Sequence, residues 1–239
     1  MLGLEGALRA EFDERYVAEP FDRAAQTYDR GRLGWYRGVL GLLSGRAREP
    51  LLDVGCGTGY VACRLAQQGV GAVVCLDLSE GMLRVAWRRA RRWRVDAAVS
   101  FVRGSAVALP FRSRSFETVL AAAVVHHVHG RERRVVALSE IRRVCRGFAL
   151  ITVWSALHPS NLLRVLSSRS RDVLVRWGGR GERYYHLYTL RELEEDLRAA
   201  GYEGFKAYLW DYKPSLLKRN IVVEYRAGEA QGAEALPGG

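Results

Sequence analysis

From Glu49 onward, short apolar runs at Leu51 to Val54, Val73 to Leu76, Val99 to Val102, Thr118 to Ala123 and Ala149 to Val153 alternate with helical stretches. No other feature constrains the fold as tightly. Parallel strands need a crossover of a dozen or more residues, and helices supply it on both faces of one sheet. Further along, Thr189-Leu-Arg-Glu192 is a capping box that opens a helix, and Gly201 closes it. Two more strands follow, Phe205 to Trp210 and Ile221 to Tyr225, and the short connection around Pro214 predicts that they form an antiparallel hairpin. The expected fold is α/β and Rossmann-like: a seven-stranded, mostly parallel sheet with an antiparallel C-terminal strand and helices on both faces.

A chain of 239 residues with 49% hydrophobic content can bury one full core. We expect a single domain over 1–226, in which 1–45 form N-terminal helices and 155–185 form an insertion over the cofactor edge, near the active site. That insertion is rich in arginine and serine and contains a Trp177-Gly-Gly-Arg-Gly turn. The segment 227–239 has no packing face and reads as a flexible tail. The N-terminus mixes charges into its apolar residues, and no uncharged apolar run approaches the roughly 20 residues that a membrane span needs. A soluble, cytoplasmic protein is expected. Cys56, Cys63, Cys75 and Cys145 show no CxxC pair and no metal-ligand spacing, and they read as small apolar residues in a reducing compartment.

The net charge of +11 rests almost wholly on arginine, since Lys206, Lys213 and Lys218 are the only lysines. A polyanionic partner and a genome that writes arginine for lysine both account for it. The segment 80–96 shows the same ambiguity. Met82, Ala86, Ala90 and Trp93 form an apolar line, and arginines cover the other faces as a solvated basic surface or as a surface for RNA.

The sequence Leu51-Leu-Asp-Val-Gly55-Cys-Gly57-Thr-Gly59 is a strand that enters a glycine-rich turn and then a helix near Tyr60. Such a turn brings backbone N–H groups against a ligand, and Gly55 and Gly57 permit dihedrals and approaches that a Cβ would block. A glycine pattern alone also fits a dinucleotide. Asp53 separates the two readings, because a carboxylate before the first glycine suits an ammonium group and opposes a pyrophosphate. Asp77 ends the second strand, where its two oxygens can accept both hydroxyls of a ribose.

These residues resemble the class I S-adenosylmethionine-dependent methyltransferases: LLDVGCGTG, VVCLDLSEGML, FVRGSAVALPF and SFETVLAAAVVHHV occur in that order and at that family's separations. The resemblance implies S-adenosylmethionine as cofactor, held by Asp53, Gly55, Gly57, Gly59, Asp77, Leu78, Ser105, Ala106 and Ala123. The family carries Asp after the glycine of its third motif, where this chain has Ser105. Altered cofactor affinity is therefore expected.

A narrower resemblance lies in Ala123-Val-Val-His-His127, Arg131-Glu-Arg-Arg134, Arg183-Tyr-Tyr-His-Leu-Tyr188 and Leu193-Glu-Glu-Asp196. Together these are similar to the tRNA methyltransferases that esterify 5-carboxymethyluridine at the anticodon wobble position. The long, charged insertion of eukaryotic members before RYYHLY is missing. The resemblance implies tRNA as substrate. It also implies a partner, a small zinc-binding activator protein that adds to the sheet beside the third strand, near Ala97 to Val102.

A carboxylate acceptor with a pKa near ~4 is already ionised at neutral pH, so its methylation needs orientation and desolvation and no strong base. Cations are required, and Arg32, Arg131, Arg133 and Arg183 are the candidates to hold the carboxylate and the anticodon phosphates. Trp35, Tyr184 and Tyr185 are the candidates to receive splayed bases. His127 follows the fourth strand, where the transferred methyl should lie, and is expected to hydrogen-bond the substrate carboxylate while His126 and His129 face elsewhere. A metal site at these histidines is not expected, because no carboxylate or cysteine stands at a useful spacing. Two other functions remain open on sequence grounds: a small-molecule methyltransferase acting on a quinone precursor or polyketide acid, and a non-catalytic RNA-binding scaffold.

Overall fold

The computed structural model describes residues 14–176, 182–212 and 219–228, with side chains from residue 17 onward. The Trp177 turn, the connection around Pro214 and the tail from residue 229 lie outside the described residues.

Two helices, α1 (Glu14–Ala24) and α2 (Leu33–Leu43), precede the first strand and are linked by a 3-10 turn at Ala25–Thr27. There follow β1 (Leu51–Val54), α3 (Tyr60–Gln67), β2 (Val73–Asp77), α4 (Glu80–Arg92), β3 (Val99–Arg103) and β4 (Phe116–Ala122). A second 3-10 turn, Val125–His127, leads into α5 (Arg131–Val144) and β5 (Cys145–Trp154). The insertion contributes α6 (Pro159–Ser168), β6 (Asp172–Arg176) and β7 (Glu182–His186), and α7 (Leu190–Ala199), β8 (Lys206–Trp210) and β9 (Asn220–Arg226) complete the chain.

The main sheet has seven strands in the order β3-β2-β1-β4-β5-β9-β8. Strands β1 to β5 pair in parallel, whereas β9 runs antiparallel to both β5 and β8. The β-branched content of the inner strands fits them to burial on both sides. Alternate residues of one strand serve opposite faces: Leu52 and Val54 pack with Leu138 and Ile141 of α5 and Leu193 of α7. Leu51 packs on the other face with Val39 of α2, Val61 of α3 and Ala90 of α4. No helix among the described residues is long and apolar enough to cross a membrane.

The insertion is more ordered than its composition suggests. Its strands β6 and β7 form a separate antiparallel hairpin, with Val173 opposite Tyr185. Arg-rich, Tyr-rich segments lack the clean alternation that marks a strand, so the hairpin was not expected from the sequence. The capping box at Thr189 is half realised. Thr189 Oγ1 accepts the Glu192 N–H at 3.2 Å, but the Glu192 carboxylate turns away to accept from His186 Nε2 at 3.0 Å.

Helix α7 is held to α5 through a buried carboxylate. Asp196 is fully buried and accepts from Arg131 Nε at 2.7 Å and from the Tyr188 hydroxyl at 3.2 Å, while Arg134 Nε donates to that hydroxyl at 3.0 Å. Removing the carboxylate strands a buried O–H. Asp196→Ala is expected to lower unfolding free energy by about 1–3 kcal/mol in urea denaturation, and Asp196→Asn, which keeps an acceptor, by less.

Candidate active site

The sheet order changes direction beside β1, and the loops after β1, β2 and β4 diverge there to form a cleft. Gly55 takes φ +64, and a Cβ on it would lie 2.4 Å from Val124 Cγ2. Gly59 takes φ +67 and would meet Ala86 Cβ at 2.7 Å. Only glycine fits either place, so the backbone of this loop closely approaches the segment after β4 and the helix α4. The Gly57 N–H donates to Asp77 Oδ2 at 2.8 Å, and the Ser79 N–H donates to Asp77 Oδ1 at 2.9 Å. One carboxylate thus braces the first two loops. Each oxygen keeps a lone pair for a hydroxyl.

Asp53, Gly55, Gly57, Asp77, Leu78 and Ser105 all line the cleft, as do Ala106 and Ala123. Gly59 does not line it; it caps the start of α3. Ser105 Oγ accepts the Val107 N–H at 3.4 Å, which leaves its O–H free to rotate toward a ligand. Ala123 takes φ +61, and its N–H donates to Thr152 O at 3.0 Å.

Asp53 is 3% exposed, and burial followed by the charge of Asp77 raises its carboxyl to about 8. No cation among the described residues pairs with it. Burial also raises Asp77, but the N–H groups of Ser79 and Gly57 oppose the rise and hold it at about 6.

The acceptor side of the cleft differs from the sequence expectation. No described residue of the insertion lines it. The wall comes instead from Phe21 of α1, Tyr28 and Trp35 before β1, and from His127, His129 and Arg133 after β4. Of the expected substrate-binding residues, Trp35 and Arg133 are therefore in place. Phe21 and Tyr28 were missed, because aromatic residues in an amphipathic stretch read as core.

His127 was expected to donate to an anionic substrate. Its Nδ1 lies 3.0 Å from the Tyr184 carbonyl oxygen. A carbonyl only accepts, so Nδ1 carries the proton and Nε2 of the neutral ring presents a lone pair. Burial pushes the His127 pKa down to about 3, and the charges of Arg183 and Arg32 add to the shift against the pull of that carbonyl. In the free protein Nδ1 donates its N–H to that carbonyl, so the neutral ring has no second N–H to donate to a carboxylate. His126 is buried and accepts the Trp154 N–H at 3.1 Å, which turns it away from the cleft as expected, whereas His129 lines the cleft.

The remaining candidates do not line the cleft. Arg32 stacks over the Tyr28 ring at 4.1 Å. Arg183 is 3% exposed, with its guanidinium 4.3 Å from the Phe21 ring centroid, so in this conformation it acts on the cleft through its charge and not by touching a phosphate. Tyr185 is 3% exposed and stacked on Trp154 at 4.4 Å, so no base can stack there. Tyr184 donates to Asp172 Oδ1 at 2.5 Å, and Arg131 is bound to Asp196 on the α7 side. Tyr184 and Tyr185 serve the wall's construction, whereas Arg131 keeps a side chain that is 59% exposed outside the cleft. The basic helix departs from expectation at one place too: Arg89 of α4 turns inward to pair with Asp29.

A methyltransferase domain profile matches residues 52–151 of the chain. A methyltransferase homologue of Encephalitozoon cuniculi is 33% identical over 200 residues, covering 80% of this chain and 89% of that one. The ubiquinone/menaquinone biosynthesis C-methyltransferase of Dinoroseobacter shibae is 30% identical, over 72% of this chain and 73% of its own. A tRNA (carboxymethyluridine(34)-5-O)-methyltransferase of Arabidopsis thaliana is 28% identical over 176 residues, and the chain spans 41% of its length. Among solved structures, the magnesium protoporphyrin IX methyltransferase of Synechocystis with bound S-adenosylhomocysteine aligns with a TM-score of 0.65 at 18% identity, over 94% of this chain and 100% of that one. The chain belongs to the class I S-adenosylmethionine-dependent methyltransferases.

The residues present fit that cofactor. Asp53 offers a buried carboxylate that lacks a cation, Asp77 offers acceptors for the ribose, and the glycine loop offers close backbone. With Asp53 near 8, the free protein carries it mostly protonated at pH 7, and an ammonium beside it favours the ionised form. Binding therefore releases a proton at neutral pH. S-adenosylhomocysteine affinity is expected to rise about five- to tenfold per pH unit from pH 6 toward 8 and then level off, with Asp53→Asn flattening the dependence. Calorimetry in two buffers of different ionisation heat measures both the affinity and the proton release.

Proposed function

We propose that this methyltransferase esterifies the carboxylate of 5-carboxymethyluridine at the wobble position of tRNA. The observation that carries the reading is the pair of guanidinium groups behind the cleft wall, Arg183 at 4.3 Å from the Phe21 ring and Arg32 at 4.1 Å from the Tyr28 ring, since both rings line the cleft. A site held positive favours an anionic acceptor over a neutral one. The segments RERR, RYYHLY and LEED add support, since Arg131, Arg134, Tyr184, Tyr188 and Asp196 join them behind His127 in one hydrogen-bonded wall. The Arabidopsis relative named for this reaction lends the substrate its identity.

When bound, S-adenosylmethionine supplies a methyl carbon on a sulfonium centre, electrophilic enough for an ionised carboxylate to attack. Asp53 holds its ammonium and Asp77 its ribose, and Ser105 and Ala106 lie where the adenine edge is read. On the acceptor side, Arg133 holds the carboxylate or a neighbouring phosphate, while Arg32 adds its charge from behind the Tyr28 ring. Trp35 stacks a base. The neutral His127 accepts an N–H or O–H of the nucleoside through Nε2 and so orients it. A zinc-binding activator protein beside β3 belongs to the same proposal, and the place of β3 at the sheet edge supports it.

A second reading rests on the cleft wall. Phe21, Tyr28, Trp35, Val124 and Val128 give it an apolar, aromatic character that also suits a quinone precursor, the substrate class in the name of the Dinoroseobacter relative. Nucleoside mass spectrometry of carboxymethylated tRNA incubated with enzyme and donor, with and without the activator, separates the two. The methyl ester is expected, and Arg133→Ala, at a cation that lines the cleft, is expected to lower kcat/KM by about 10- to 100-fold with S-adenosylhomocysteine affinity unchanged. Turnover on a quinol with no ester on any tRNA would replace the first reading by the second.

A further inference from the structure

Two carboxylates of the stretch before β1, Asp22 and Asp29, each reach a different cofactor loop. Asp22 Oδ1 accepts from Ser79 Oγ at 2.5 Å and from the Gly81 N–H at 2.7 Å, at the start of α4. Ser79 is the residue whose N–H braces Asp77. Asp29 Oδ1 accepts from Thr58 Oγ1 at 2.6 Å and from the Tyr36 hydroxyl at 2.7 Å, and its other oxygen pairs with the Arg89 guanidinium.

Thr58 stands between Gly57 and Gly59 in the glycine-rich loop and is 1% exposed. Its hydroxyl donates to Asp29 and accepts from Arg89 Nη1 at 2.9 Å, so its rotor has one satisfied orientation. A loop whose backbone sits at positive φ at Gly55, Gly57 and Gly59 gains little rigidity from its own residues. Its geometry is supplied from outside, by charge-assisted hydrogen bonds to the N-terminal segment and α4. Tyr28 adjoins Asp29 and lines the cleft, so the same contact that fixes the loop seats the acceptor wall.

We propose that Asp29, acting through Thr58 and Arg89, is a positioning residue for the methyl donor, and that it couples donor affinity to the seating of residues 17–36 over the cleft. This goes beyond the acceptor assignment. Calorimetry with S-adenosylhomocysteine needs no acceptor, so the result stands apart from the tRNA reading.

The test compares Thr58→Val, Thr58→Ser and Asp29→Asn in the full chain. Thr58→Val and Asp29→Asn are expected to weaken S-adenosylhomocysteine binding by about tenfold and to raise the donor KM alike, with kcat at saturating donor within about twofold of the parent. Thr58→Ser restores the hydroxyl and with it the affinity. The double variant Asp29→Asn with Thr58→Val is expected to bind no worse than either alone within about twofold, as partners in one interaction do. Should Asp29→Asn fail to fold, the two Thr58 variants decide the question. Donor affinity within twofold of the parent in Thr58→Val, or Thr58→Ser as weak as Thr58→Val, overturns the proposal.

Discussion

The paired hydrogen bonds from the Gly57 and Ser79 N–H groups to one carboxylate, Asp77, fix the working edge of the sheet. Asp77 closes β2, while the groups it binds belong to the loops after β1 and after itself. Apart from Asp77, those two loops are tied by Asp29 through Thr58 and by Asp22 through Ser79. Their distance sets the width of the cleft, and Gly55 must then lie against Val124, where no side chain fits. Burial raises the Asp53 carboxyl, and Asp77, held in the same arrangement, stands close enough to add to the rise.

Much of this was legible in the sequence. All seven strands of the main sheet fall within two residues of where apolar runs place them at nearly every boundary, because both faces of inner parallel strands are buried and leave an uninterrupted signal. Asp53, Asp77 and the glycines were readable for a local reason: a strand end followed by a special turn is written in consecutive residues. Ser105 and Ala106 follow β3 in the same way and do line the cleft.

What escaped the sequence depends on partners far along the chain. Thr58 meets Asp29 across 29 residues and Arg89 across 31, and nothing in the spacing of an amphipathic helix distinguishes a solvated carboxylate from one that braces a loop. Arg131 and Arg183 looked like substrate cations because an arginine beside an aromatic run fits that purpose. Their partners, Asp196 and Phe21, come from other elements, so the composition of the motif carried no sign of the contact. The hairpin β6–β7 was hidden for a related reason, as its inward residues include Arg183 and His186, which are buried through charge and hydrogen bonding and not through hydrophobicity.

Different stretches of chain make the two halves of the cleft. Residues 53–106 furnish the donor half, whereas 17–36 and 123–133 furnish most of the acceptor half. Selection can therefore rewrite the acceptor wall as long as Asp22 and Asp29, which tie its opening segment to the donor loops, are kept. Relatives near 30% identity whose names speak of tRNA in one lineage and quinones in another are the expected product of such a division. In this architecture a change of substrate is an amendment to the chain's opening segment and to one loop, and ancestry is recorded most faithfully in the half that never meets the acceptor.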